Sequence, residues 1–145
     1  MPGIIVGIDG SARSRQALEW AVNEAAVRHA PLTVLTVHQA AAGFFSPVEY
    51  PGDQDLTKQA RELAQKETDE VLDQAGEGSR PPSVTVRAVN GLPAEELLKA
   101  AADAEMIVVG SRGAGGFARL LLGSVSSQVT HYAHCPVVVI PAGDI

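Results

Sequence analysis

Met106-Ile107-Val108-Val109-Gly110-Ser111-Arg112-Gly113-Ala114-Gly115-Gly116, followed by Gly123-Ser124-Val125-Ser126, is the stretch that decides the fold. An apolar strand runs straight into a glycine-rich loop, and the loop ends at serines suited to open a helix. Strand, glycine loop and helix in that order make a phosphate cradle. Glycine tolerates φ > 0 and close approach, so successive N–H groups can converge on anionic oxygens, while the helix start adds its own unpaired amides and dipole. A plain turn followed by a cap needs one or two glycines; this loop carries Gly110, Gly113, Gly115, Gly116 and Gly123.

Working outward, apolar runs like that of Met106 to Val109 recur at Gly3 to Asp9, Leu32 to Val37, Ser83 to Val89 and Pro136 to Ile140, which predicts five strands. Runs apolar on both faces belong to a parallel sheet covered on both sides. Helical periods separate them: Ala17, Leu18, Ala21, Val22 and Ala25 after the candidate N-caps Ser11 and Ser14; Leu56, Ala60, Leu63 and Val71; Leu97, Leu98 and Ala101 after Pro93 at a first-turn position; and Val125 with Val129. Strict alternation of strand and helix predicts right-handed βαβ units in a doubly wound α/β domain over residues 1–145, Rossmann-like, with helices on both faces; the strand order is assumed to be 3-2-1-4-5. Ligands of such sheets sit beyond the carboxyl ends of the strands where the winding reverses, between the ends marked here by Asp9 and Gly110. Gln39 to Asp53, with Phe44, Phe45 and Tyr50, reads as a flap, and Gly76 to Pro82 as a turn-rich linker.

Composition narrows the function. The 145 residues carry a formal net charge of −6, with no basic run, which argues against nucleic acid as a partner. No apolar stretch approaches the roughly 20 residues of a membrane span, and the chain enters its first strand without a basic leader, so a cytoplasmic protein is expected. The single cysteine, Cys135, excludes an internal disulfide and reads as a buried structural thiol.

Other chemistries fail on context. No Gly-Lys-Ser/Thr follows the glycines, so the loop is not a P-loop, and Arg112 and Arg119 are the nearby cations. Gly113-x-Gly115-x-x-Ala118 imitates a dinucleotide fingerprint, but it follows the fourth strand, and the region where an acidic ribose ligand should stand reads Pro136-Val137-Val138-Val139. His131, His134 and Cys135 lack the spacing of a zinc site. There is no Gly-x-Ser-x-Gly elbow, so Ser124, Ser126 and Ser127 read as capping or phosphate-binding hydroxyls. Asp9, at the tip of the first strand, is either a turn-former or an acceptor for a ribose hydroxyl, and the backbone at Val37 and His38 either pairs with an adenine edge or simply ends a strand.

Ile5-Val6-Gly7-Ile8-Asp9-Gly10-Ser11, Leu32 to His38, Gly91-Leu92-Pro93-Ala94, Ile107 to Gly113 with Leu121 to Ser126, and Cys135-Pro136-Val137-Val138-Val139 together resemble the universal stress protein family, specifically its ATP-binding branch. The most specific feature is Gly110-x2-Gly113-x9-Gly123-Ser124, the pattern that marks ATP-binding members of that family. The resemblance implies Gly7 and Asp9 near the ribose and adenosine, the backbone of Val37 at adenine, and Gly110, Ser111, Arg112, Gly113, Ala114, Gly115 and Gly116 around the phosphates, with Gly123, Ser124, Val125 and Ser126 closing the site. It further implies a homodimer through the C-terminal strand and a role in stress adaptation. ATP, with Mg²⁺ held mainly by the phosphates and Ser124 or Ser126, is the expected ligand, and the protein is expected to act as a nucleotide-dependent switch with no efficient catalysis. The rival readings are a slow ATPase or phosphotransferase using the same cradle, and an interaction protein with a structural nucleotide.

Overall fold

In the computed structural model the described residues are 3–38, 53–111 and 123–141. The elements alternate as expected: β1 (Ile4–Ile8), α1 (Ala12–Arg28), β2 (Leu32–His38), α2 (Asp53–Ala75), β3 (Val84–Asn90), α3 (Pro93–Ala100), β4 (Met106–Gly110), α4 (Ser124–Tyr132) and β5 (Val137–Ile140). A 3₁₀ turn, Glu77–Ser79, lies in the segment read as a linker. The five strands form one sheet in the order β3-β2-β1-β4-β5, and every pairing is parallel.

The double-sided apolar strands have a direct cause in this layering. Along β1, Ile4, Val6 and Ile8 face Ala17, Leu18, Ala21, Val22 and Ala25 of α1, with Ala64 and Val71 of α2 in the same core. Ile5 points the other way and joins Leu35, Ile107 and Val109 against Ala94 and Leu97 of α3 and Val129 of α4. Alternate residues of one strand therefore feed separate cores on opposite faces, and neither face can be polar.

Local chemistry fixes the helix ends. Ser11 is the N-cap of α1, its side chain accepting the Ser14 amide at 3.1 Å, and His29 closes the helix in the left-handed region at φ 54°. Pro93 occupies the start of α3, as its fixed φ favours.

The expected inward stripe of α2 needs correction. Val71 is buried, but Leu56 and Leu63 are 44% and 69% exposed, and the residues that reach the core alongside Val71 are Ala64 and Thr68. Thr68 is wholly buried because its hydroxyl donates to the Ala64 carbonyl at 2.7 Å, so a formally polar residue enters the core already hydrogen-bonded. Hydropathy alone favours the leucines and passes over that internal bond.

Candidate functional site

The sheet reverses its winding between β1 and β4, which lie side by side in the register Ile4↔Met106, Ile5↔Ile107 and Val6↔Val108. From the end of β1 the chain turns into α1 on one face; beyond β4 it continues to α4 on the other. Doubly wound sheets place their binding crevice at such a reversal of winding.

On the β1 side the lip is a hydrogen-bonded turn. Asp9 Oδ1 accepts the Ser11 amide at 3.0 Å, the Asp9 amide donates to Ser14 Oγ at 3.2 Å, and Ser14 Oγ donates to the Ser11 carbonyl at 3.1 Å. Gly10 sits at φ +84°, a conformation that suits glycine. Asp9 is thus a turn-former, and the same turn leaves the residue exposed at the mouth of the crevice. Gly7 has a packing reason of its own: a β-carbon there would stand 3.0 Å from both δ carbons of Leu97 on α3.

At the tip of β2, pairing with β1 ends at Ile8↔Thr36, while pairing with β3 continues through Val37↔Val89 to His38↔Asn90. The backbone at Val37 therefore projects past its β1 neighbour. The His38 carbonyl is not open, because it accepts the Gly91 amide at 3.0 Å. That assigns the end of the β2 edge to the β2–β3 connection and leaves Val37, with its register to β1 exhausted, as the main-chain position facing the switch point.

On the β4 side the two ends of the glycine loop are stapled together. The Ser111 amide donates to the Ile140 carbonyl at 2.8 Å, extending the β4–β5 ladder by one bond, and the Ser111 carbonyl accepts both the Gly123 amide and Ser126 Oγ, the latter at 2.9 Å. Ser126 Oγ also lies 3.2 Å from the Gly123 carbonyl. Its one hydroxyl proton is committed to closing the loop, and the residue is only 2% exposed, whereas Ser124 is exposed. Gly123 caps α4 at φ −76° and ψ 175°, extended backbone that any residue adopts, so no left-handed turn calls for glycine here. Among the described residues no side chain caps α4, and its ladder leaves the amides of Ser124, Val125 and Ser126 pointing out of the helix start. Arg112, Gly113, Ala114, Gly115, Gly116 and Arg119 lie outside the described residues.

The sequence reading passed over Glu67. Its Oε1 is buried without a hydrogen-bond partner among the described residues, and burial pushes its carboxyl pKa up, with Arg15 opposing. Arg15 itself bonds Glu70 at 2.9 Å. A glutamate on a heavily charged helix gives no sign in sequence that one of its oxygens will be covered. His131 and His134 are both exposed, and among the described residues no group of three or more His, Cys, Asp or Glu could hold a metal ion. Cys135 is half-buried rather than buried, packs on the α3–α4 core, and has its thiol pKa raised by burial, which is the opposite of activation. Among the described residues no helix is long and apolar enough to cross a membrane.

A doubly wound parallel sheet with an aspartate turn and a glycine-capped helix start on either side of its switch point defines a Rossmann-like α/β domain. The chain belongs to the universal stress protein family, whose profile matches residues 2–141. A universal stress protein of Mycobacterium bovis is 36% identical over 144 residues, a match spanning 98% of this chain and 48% of the relative. The chain thus spans about half the length of that relative. Among solved structures, the universal stress protein UspA from Lactobacillus plantarum superposes with a TM-score of 0.73 at 26% identity, covering 96% of this chain and 97% of that one. A universal stress protein crystallised in complex with cAMP superposes with a TM-score of 0.67 at 25% identity, covering 97% and 96% of the two chains.

Proposed function

We propose that this protein binds ATP, with Mg²⁺, in the crevice between the β1 and β4 connections, and acts in the cytoplasm as a nucleotide-dependent switch in stress adaptation. The observation that carries the reading is the closure at Ser111, whose carbonyl gathers the Gly123 amide and Ser126 Oγ and so brings the start of α4 to the end of β4. Within the segment that Ser111 and Gly123 bracket, Gly113 completes the spacing Gly110-x2-Gly113-x9-Gly123-Ser124. The α4 amides then supply fixed donors to phosphate oxygens. Asp9 serves the ribose, the Val37 main chain serves adenine, and Ser124 shares Mg²⁺ with the phosphates. A related protein of the same fold holds an adenine nucleotide in its crystal structure, which supports a nucleotide as the ligand class.

Ordering of the glycine loop by the triphosphate presents a surface to a partner protein, and β5 at the sheet edge pairs with a second copy. Calorimetric titration with ATP and Mg²⁺, followed by measurement of self-association with and without the nucleotide, tests both halves. Saturable binding that alters association supports the switch; binding without any such effect reduces the nucleotide to a structural ligand, and no binding removes the reading.

A further inference from the structure

Glu67 belongs to the part of α2 that packs beside α1. The charged groups acting on it are Arg15 and Glu19 of α1, Glu70 of its own helix and Asp9 at the end of β1, so one cation faces three acids. The cation is already engaged: Arg15 Nη1 donates to Glu70 Oε1 at 2.9 Å. Glu67 Oε1 meanwhile is buried with no hydrogen-bond partner among the described residues. A carboxylate with a covered, unpaired oxygen and acidic neighbours holds its charge at a cost, and further negative charge nearby tips it toward the neutral acid. One of those neighbours, Asp9, lies at the mouth of the crevice.

We infer that Glu67 takes up a proton when ATP binds, so that nucleotide affinity rises as pH falls; this rests on the crevice being the ATP site. The triphosphate brings several negative charges to the end of the molecule that Asp9 marks, and a partly buried carboxylate feels them with less screening than an exposed one. Linkage is reciprocal: a ligand that favours the protonated form is itself favoured by protonation. Because burial already raises the Glu67 pKa, the effect falls at higher pH than an exposed glutamate would show it.

The test is calorimetric titration of the full chain with MgATP from about pH 5 to about pH 8, on wild type and Glu67→Gln, which mimics the neutral acid. Titration of the nucleotide's own phosphate is common to both proteins and cancels in their affinity ratio. Glu67→Gln is expected to bind about three- to tenfold more tightly than wild type at the alkaline end, with the ratio falling toward one as the pH is lowered. A ratio constant across the range overturns the inference. Should the variant fail to fold, a carboxyl ¹³C titration of Glu67 in wild type reads the same quantity: its midpoint moves upward on adding ATP, and an unmoved midpoint overturns the inference. Loss of the crevice reading is recognised separately, as no ATP binding by wild type at any pH, and it takes the proton linkage with it.

Discussion

At Gly7 a β-carbon would stand 3.0 Å from both δ carbons of Leu97, so this position holds α3 against the sheet whatever else it does. Gly7→Val adds a branched side chain there and is expected to cost about 1–3 kcal/mol by overpacking, measured by urea denaturation; an unchanged midpoint would show that α3 moves aside freely. Gly123 is a different kind of glycine. Its backbone is extended but the residue is buried, so Gly123→Val is judged with a fold check by circular dichroism: where the fold is retained, ATP affinity is expected to drop about tenfold or more, equivalent to about 1.4 kcal/mol. Gly113→Val is expected to behave likewise. Undiminished titrations for both folded variants would remove these residues from the site. Ser126→Ala deletes the hydroxyl that links the Ser111 and Gly123 carbonyls and is expected to cost about 1–2 kcal/mol of stability in thermal or urea unfolding.

Element by element, the regular pieces were legible where one physical rule decides. The unbroken apolar strands announced a covered parallel sheet, Ser11 announced the start of α1, and Pro93 that of α3. The rule failed on α2, where a hydrogen-bonded Thr68 fills the core and Leu63 faces out, because side-chain to backbone bonds such as that to the Ala64 carbonyl carry no hydropathy signal. It failed in the same way on Glu67, whose burial depends on how α2 meets α1. At the candidate site, the proposal of Asp9, Val37 and Ser124 rests on their places at strand and helix ends, whereas the engagement of the Ser126 hydroxyl and the His38 carbonyl depends on partners distant in sequence. β5 lies at the sheet edge with β4 on one side, and its four residues, Val137 to Ile140, are all half-buried. An apolar edge of that kind favours pairing with another strand, and the resemblance drawn from the sequence implies a homodimer formed there. Val138→Lys or Val138→Pro should shift sedimentation toward monomer while circular dichroism keeps the fold; a wild type that is monomeric at tens of micromolar, an order-of-magnitude range for a modest interface, would contradict this.

For the molecule as a whole, the described residues at the proposed crevice offer amides and hydroxyls but little for activating water. Fast phosphoryl hydrolysis requires a group that orients the nucleophile and acids that hold the metal, and Asp9, engaged in its own turn with Ser11, is set by the reading at the ribose. Single-turnover assays with Mg²⁺ are therefore expected to show hydrolysis far below the roughly 1–100 s⁻¹ of kinases. Turnover in that range, abolished by Asp9→Asn without loss of ATP binding, would make the protein an enzyme. The central claim, that the crevice is an ATP site, is tested most directly by mass analysis of the nucleotide released when the purified protein is gently denatured, run beside the Gly123→Val variant. The account predicts ATP in near-stoichiometric amount from wild type and its depletion from the variant. Absence of any adenine nucleotide from wild type, with no binding on titration of added MgATP, would contradict it.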